Sequence, residues 1–243
     1  MKQLAIAARS VNDPSRPYTC TGLGDRIHTV TLGWAYGTPV TLHLTADKMI
    51  GGQFGNKPES WAEIVKLFPA GSVRIRAHKV SPRTEAEWLQ YLGSDVESYS
   101  YYDYPGKFER HAALDISQYL KRIPLLTADP QDIELPERFV TVQWDAGGKS
   151  RTIPEEQRRR VLERYSYTPV VVGGEATDER LRCSLKHIAY AMSKAELHVG
   201  VDSAFMHMAQ LYMRPERIHL YGRGRSHHLK RAVDNGAKLN LYL

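Results

Sequence analysis

Three glycine-containing segments of the sequence place acids, cations or hydroxyls where a helix is predicted to begin. They span residues 21–29 (TGLGDRIHT), 143–154 (QWDAGGKSRTIP) and 197–209 (LHVGVDSAFMHMA). Glycines allow a tight turn and a close approach of the backbone to a ligand. The N–H groups at the start of a helix lack helical partners and bind phosphate oxygens well. The three segments are therefore candidates for holding a phosphate-bearing ligand and for placing an acid that accepts a proton.

The first segment carries Asp25 near the start of a helix predicted over residues 22–36. The helix dipole stabilises an acid at such a position, so Asp25 is interpreted equally well as a helix cap or as a catalytic base. Gly22 and Gly24 do not form the dinucleotide-binding fingerprint, because Ile27 stands where its third glycine would be. Both interpretations of Asp25 stay open on spacing alone.

The segment at 197–209 joins a predicted strand, a glycine turn and the start of a helix. Asp202 and Ser203 open that helix, and the Ser203 hydroxyl can add to the phosphate-binding N–H groups. His207 follows one turn later on the same side of the helix. A simpler interpretation is that Asp202 or Ser203 only caps the helix while His207 packs against the sheet. Taken residue by residue, the simpler interpretation is favoured.

Cations occupy the loop of the segment at 143–154, between a predicted strand and a predicted helix. Lys149 and Arg151 can hold a diphosphate there, Lys as a point charge and Arg as a bidentate donor; a solvated loop is the alternative. Gly174 and Glu175 end another predicted strand, where Glu175 either accepts hydrogen bonds from ribose hydroxyls or forms a surface turn. Residues 222–225 (GRGR) can add phosphate contacts, although a basic surface turn is slightly favoured.

Short apolar runs alternate with helical patterns along most of the chain, which is typical of buried parallel strands joined by helices. We expect a linker at residues 120–136, where prolines punctuate the sequence. Strands are predicted at Leu4–Ala8, Val40–Leu44, Val73–Ala77, residues 139–143, 170–172 and 197–199, and Ile218–Tyr221. Helices are predicted at residues 22–36, 60–67, 85–92, 154–164, 181–192 and 203–211.

Composition narrows the class of protein. A chain of 243 residues that is 42% apolar can bury two small cores, and no apolar run reaches the roughly 18 residues of a membrane-spanning helix. Cys20 and Cys183 lie far apart without metal-ligand spacing, which favours a reduced, cytoplasmic protein. Residues 121–243 carry 20 Lys and Arg against 15 Asp and Glu. This excess suits an anionic ligand but is too small, without a recognition motif, to predict nucleic-acid binding.

Together the segments resemble the ADP-heptose:lipopolysaccharide heptosyltransferase family. GDRIHT is similar to that family's G-D-x-x-H-T motif, and VGVDSAFMHMA followed by HLYG resembles its V-G-x-D-[ST]-G-x-x-H-L-x-A signature and the L-Y-G strand. KSRTIP is similar to its K-x-W-P segment, and VVVGGE resembles the strand before its donor-binding glycines. The three main motifs stand in the family's order and touch both halves of the chain.

The resemblance implies an α/β fold of the GT-B type, in which two Rossmann-like domains with parallel sheets face each other across a cleft. Residues 1–125 would form the acceptor-side domain and residues 126–243 the nucleotide-sugar-binding domain. Asp25 matches the family's catalytic base, and Arg151 falls where the family has a lysine that contacts the donor phosphates. The donor-binding set would be Lys149, Arg151, Gly174, Glu175, Asp202, Ser203 and His207, and the acceptor or cleft set Gly22, Gly24, Arg26 and His28.

The implied function is inverting transfer of a sugar from a nucleotide-diphosphate sugar to a hydroxyl of a glycan or a lipid-linked glycan. No cofactor and no metal are expected, and the sequence contains no D-x-D triplet. Ala204 and Ile153 replace the family's usual glycine and tryptophan, so the sugar and the base are left undetermined. A catalytically inactive nucleotide-sugar-binding protein and a sugar-nucleotide epimerase are the alternatives. Peripheral membrane contact stays open for a lipid acceptor.

Overall fold

The computed structural model divides the chain into two compact units, Met1–Ile123 and Pro124–Leu243. The described residues are 4–8, 23–24, 27, 30–31, 34, 40–44, 58–77, 98–103, 107–109, 125–146, 151–173, 176–182, 184–222 and 227–240. Each unit has its own parallel strand pairs.

The first unit contains five strands and one bounded helix in its described part. Strands β1 (Leu4–Ala8) and β4 (Ser98–Asp103) pair in parallel, and β4 pairs with β5 (Lys107–Glu109) in the antiparallel sense. Strand β2 (Val40–Leu44) pairs in parallel with β3 (Val73–Ala77), which follows helix α1 (Pro58–Val65).

The backbone of the described residues 23–24, 27, 30–31 and 34 is helical, and their spacing is that of a helix with one buried face. Ile27, Val30 and Thr31 are buried, and Trp34 lies on the same side at a ring-centroid distance of 6.0 Å from Phe68. The Thr31 hydroxyl donates to the carbonyl of Ile27 at 2.7 Å, one turn earlier. The helix predicted for residues 22–36 is therefore confirmed wherever the structure describes it.

The second unit is built on a five-stranded parallel sheet. Its strands are β6 (Phe139–Val142), β7 (Thr168–Val171), β8 (Leu197–Gly200), β9 (Ile218–Tyr221) and β10 (Lys238–Asn240). Their order across the sheet is β10-β9-β8-β6-β7, so the chain runs outward in opposite directions from the boundary between β6 and β8. This is the strand order of a doubly wound sheet, and the boundary is its switch point.

Four α-helices connect these strands: α2 (Glu155–Glu163), α3 (Leu185–Lys194), α4 (Ala204–Tyr212) and α5 (His227–Asp234). The predicted helix at residues 181–192 in fact begins at Leu185, because the Ser184 side chain accepts the His187 N–H and caps it there. Glu179–Leu181 forms a separate 3₁₀ turn that Asp178 caps. Pro154 occupies the N-cap of α2 rather than its first helical position.

The sheet of the second unit carries apolar side chains on the face toward α2. Val140, Val142, Val199 and Val201 form one buried cluster with Val161 of α2. Since side chains alternate along a strand, Thr141 and His198 lie on the opposite face. Both are fully buried and stand opposite each other in register.

Several elements differ from the sequence-based expectation. Strands β4, β5 and β10 and helix α5 were not predicted, since their sequences lack a continuous apolar run. Residues 125–136, the described part of the linker predicted at 120–136, belong with the second unit. The Leu126 N–H donates to Leu211 O at 2.7 Å, and Lys186 pairs with Asp129 at 2.8 Å. The helix predicted at 85–92 lies outside the described residues. In the part of the chain that is described, no helix has the length and apolar character needed to cross a membrane.

Candidate functional site

The carboxyl ends of β6 and β8 lie side by side at the switch point of the sheet. β6 leads into the loop at 143–154, and β8 leads into the turn at 201–203 that opens α4. In open parallel sheets, ligands bind outside the carboxyl ends of the strands at such a point. Two of the three segments singled out in the sequence therefore meet at the edge where a ligand is expected.

The loop after β6 is closed at its base by backbone contacts. Asp145 and Thr152 form an isolated antiparallel bridge, and the Ile153 N–H donates to the Trp144 carbonyl at 2.7 Å. Arg151, at the end of this loop, is exposed and its Nη1 lies 3.5 Å from the carbonyl oxygen of Asp202. The exposed guanidinium, which carries five N–H donors, therefore stands beside the start of α4.

Ser203 is the N-cap of α4, and its hydroxyl is used inside the protein. The oxygen accepts the N–H groups of Phe205 at 3.2 Å and Met206 at 3.3 Å, and the O–H donates to Oε1 of Gln143. The residue is 7% exposed. A ligand would have to displace one of these bonds to reach the hydroxyl, so the cap interpretation accounts fully for this side chain.

Asp202 and His207 flank this cap. Asp202 is partly buried just before α4, and its carbonyl faces Arg151. His207 is 8% exposed, one turn into the helix. Its burial favours the packing interpretation, and contact of either side chain with a donor stays a prediction.

The end of β7 lies against the same helix start. Gly173 has φ of +86°, and a Cβ atom there would lie 2.6 Å from the Phe205 ring. Glycine is therefore required at residue 173 by both backbone conformation and space. Gly174 and Glu175, which follow it, lie outside the described residues.

Gln143 was not given a functional role from the sequence. Its side chain is buried just after β6, and Nε2 donates to the Asp145 carbonyl at 2.9 Å while Oε1 accepts from Ser203. One amide thus contacts both loops of the switch point. In the sequence, Gln143 is marked only by being a polar residue directly after the strand-forming run FVTV.

His198 is the second polar residue that the sequence did not single out. Its Nδ1 lies 3.1 Å from Oγ1 of Thr141, and its Nε2 has no hydrogen-bond partner among the described residues. Complete burial lowers its pKa to about 3, so the imidazole is neutral. A Cβ atom at residue 200 would lie 2.5 Å from Nε2, which explains why glycine precedes the turn.

The remaining predicted site residues belong to the first unit or lie outside the described residues. Gly24 has helical backbone and is half-buried in the first unit. Asp25, Gly22, Arg26, His28 and Lys149 lie outside the described residues. Among the residues that are described, no group of three or more His, Cys, Asp or Glu side chains is placed to hold a metal ion.

Helix α2, which follows the loop after β6, carries three arginines, and a fourth, Arg164, is its C-cap. Arg159, Arg160 and Arg164 are exposed. Arg158 is half-buried instead: it lies 5.7 Å from the centre of the Trp144 ring and donates from Nε to the Ile153 carbonyl at 3.1 Å. It thereby ties α2 to the base of the loop that carries Arg151.

No protein-family model and no curated protein matches the sequence. Among solved structures, the chain is similar to the glycosyl transferase family 9 protein from Veillonella parvula DSM 2008. The TM-score is 0.51 at 12% sequence identity, over 99% of this chain and 86% of that one. The chain shares its fold with a glycosyltransferase.

This similarity confirms the coarse part of the expectation drawn from the motifs. The protein has an α/β fold that contains a parallel sheet, and it shares this fold with the family 9 protein. At 12% identity the similarity concerns the fold alone. The arrangement of two domains across a cleft, the division of labour between residues 1–125 and 126–243, and the roles of the individual site residues stay predictions.

Proposed function

We propose that this protein is a glycosyltransferase that moves a sugar from a nucleoside-diphosphate sugar to a hydroxyl acceptor. The observation that supports the proposal is the meeting of Arg151 with the start of α4 at the switch point of a parallel sheet. The fold shared with a family 9 glycosyltransferase makes sugar transfer the chemistry to test first. The acceptor is a saccharide or a glycolipid; a glycolipid would bring the protein to a membrane surface.

The donor diphosphate would be held by fixed positive charge and by backbone N–H groups. The Ser203 hydroxyl oxygen accepts the backbone N–H groups of Phe205 and Met206. The backbone N–H groups of Ser203 and Ala204 have no acceptor among the described residues. A phosphate oxygen at this position would receive these two N–H groups and the guanidinium of Arg151. Lys149 would add a second cation from the same loop.

Sugar transfer leaves a nucleoside diphosphate whose bridging oxygen gains negative charge as the bond to the anomeric carbon breaks. Donors that are already fixed in place stabilise such charge without reorganising, which is the largest usual contribution to catalysis. Arg151 and the start of α4 would supply that stabilisation without a metal. Asp25 would take the proton from the acceptor hydroxyl, and attack opposite the leaving group would invert the anomeric centre.

The first test is calorimetric binding of ADP, GDP and UDP, each with and without Mg²⁺. We expect one of the three to bind without metal and the affinity to fall about tenfold or more in Arg151→Ala, because a charge-assisted contact is lost. Arg159→Ala is the matched control, since Arg159 is an exposed arginine of α2 and not of the loop beside α4. If no nucleotide binds, or both variants behave alike, the donor site is wrong.

A product assay then separates transfer from the two alternatives. Incubation with the nucleotide sugar that binds best, in the absence of acceptor, would yield an isomerised donor if the protein were an epimerase. An inactive binding protein would leave the donor unchanged with every acceptor tested. We expect product only when an acceptor hydroxyl is present.

A further inference from the structure

We propose that Gln143 is the positioning residue that sets the Arg151 loop at a fixed distance from the start of α4. The identity of the ligand that would bind at this spacing rests on the function proposed above. The spacing itself rests only on contacts within the second unit. Gln143 lies at the switch point, where β6 and β8 end, and its side chain is uncharged.

The backbone of Gln143 is held firmly by the sheet. Its N–H donates to the carbonyl of Val199 at 2.8 Å and so extends the pairing of β6 with β8 beyond the last strand residue. The residue is 4% exposed. Its side chain is therefore anchored on the sheet, which makes it a rigid support for the two loops.

The side-chain amide of Gln143 donates one hydrogen bond and accepts another. Nε2 donates to the carbonyl of Asp145 in the cation-bearing loop, and Oε1 accepts the hydroxyl of Ser203 at the cap of α4. A side-chain amide offers an N–H donor and a carbonyl acceptor in one planar group, whatever the pH. A carboxylate would have no N–H for Asp145 and would bury a negative charge beside the site proposed for phosphate.

These contacts form a closed circuit around the switch point. From Gln143 the circuit runs through Asp145 to its bridge partner Thr152, then through the neighbouring Arg151 to the carbonyl of Asp202, and back through Ser203. Within this circuit, the Gln143 side chain contacts both the loop after β6 and the cap of α4. We therefore expect loss of its amide to loosen the spacing between that loop and the start of α4.

The end of β7 is shaped to leave room for this amide. A Cβ atom at residue 173 would lie 3.2 Å from Nε2 of Gln143, in addition to its clash with Phe205. Glycine at this position thus keeps a third strand end clear of the amide. A side chain there would have to displace the group that joins the two loops.

The first arm of the test measures amide hydrogen exchange and needs no ligand. Gln143→Met keeps the side-chain length and removes both hydrogen bonds; we expect the Ile153 N–H, which closes the loop, to exchange at least about tenfold faster. The matched control is Thr141→Val, which loses a buried hydrogen bond to His198 on the same sheet face without touching the loop. Exchange of Ile153 at the wild-type rate in Gln143→Met overturns the proposal.

The second arm measures affinity for the nucleoside diphosphate that the wild type prefers. We expect Gln143→Met to weaken binding by about tenfold or more, and Arg151→Ala to cost less than about threefold in that background, because Arg151 is already misplaced. Thr141→Val should bind like the wild type. Independent, multiplicative losses from the two variants would show that Gln143 is merely structural and overturn its positioning role.

The two arms separate this proposal from the function on which its ligand depends. If the wild type binds none of the three nucleotides and Ile153 still exchanges faster in Gln143→Met, the donor site fails and the positioning role stands. If a nucleotide binds but exchange is unchanged, the donor site stands and the positioning role fails. Urea unfolding of each variant at the same pH identifies any global loss of stability.

Discussion

Lowering the pH from 7 to 4.5 is expected to destabilise the folded protein through one buried imidazole. His198 is fully buried between β6 and the turn before α4, and burial alone lowers its pKa from 6.5 to about 3. In the unfolded chain the same group titrates near its ordinary value. Below pH 6.5 the unfolded state therefore binds a proton that the folded state does not bind. The stability that depends on neutral His198 is therefore complete above the pKa of the unfolded state. It is lost as the pH falls toward the pKa of the folded state.

The size of the effect follows from linkage. Each pH unit between the two pKa values costs about 1.4 kcal/mol per proton taken up on unfolding. Over the interval from pH 7 to pH 4.5, most of which lies below the unfolded pKa, the loss from His198 amounts to roughly 2–3 kcal/mol. That is a large share of the 5–15 kcal/mol by which domains are usually stable.

The assay is urea unfolding at pH 7 and at pH 4.5 of the wild type and of His198→Asn. Asparagine keeps a polar atom near the position of Nδ1, within reach of Thr141, and does not titrate. We expect the variant to be less stable at pH 7, because it leaves a cavity, yet to lose roughly 2–3 kcal/mol less than the wild type on acidification. His219→Asn is the control: His219 is only half-buried, with a pKa lowered by burial and by Lys238, so its effect has the same sign and is smaller.

Two results would refute this reasoning. One is an equal loss of stability on acidification in the wild type and in His198→Asn. The other is an imidazole proton resonance of His198 in the folded protein that titrates near pH 6.5. Either would mean that the ring is hydrated or charged in the folded state, in conflict with its complete burial.

Three further predictions concern the cap, the turn after β7 and the proposed base. Ser203→Ala should lower the free energy of unfolding by about 1–2 kcal/mol in a urea titration, because the N-cap bonds of α4 are lost. Gly173→Ala should cost about 2 kcal/mol or more, whereas Gly71→Ala, with φ of +75° but open space around its Cβ, should cost only the backbone strain of about 1 kcal/mol. Asp25→Asn should lower kcat for transfer by 10²–10⁴-fold with unchanged donor affinity in calorimetry, while a chelator leaves wild-type activity intact; full activity of the variant would remove Asp25 from the mechanism.

The sequence predicts the elements of the second unit well where strands are buried on both faces. FVTV and IHLY are short apolar runs bounded by turn residues, and their strands lie inside the sheet. β10 is an edge strand of three partly exposed residues that begins with Lys238, so it carries no apolar signal. β4 reads SYSYYD, and its pairing with β1 depends on residues more than ninety positions earlier. Short local windows do not contain that information.

Some contacts of the candidate site could likewise be predicted from the sequence, and others could not. Arg151 and Asp202 could be expected to meet, because each follows a strand of one parallel sheet and the carboxyl ends of such strands share an edge. The contact of Gln143 with Ser203 could not, because it joins side chains sixty positions apart and depends on which rotamers the packed sheet allows. His198 escaped notice for a similar reason: its neutral state is a consequence of burial, which the run LHVG does not reveal.

Ser203 and Arg151 come from two different segments of the sequence and make different kinds of contact in the structure. The Ser203 hydroxyl makes three internal hydrogen bonds and is almost completely buried, whereas Arg151 is exposed. If a diphosphate binds at this edge, the anion is recognised by the guanidinium and by backbone N–H groups, and the serine serves by fixing where those N–H groups point. Ser203→Ala should then change stability more than nucleotide affinity, and Arg151→Ala should change affinity more than stability. A serine variant that loses affinity while its unfolding free energy is unchanged would instead assign the hydroxyl directly to the ligand.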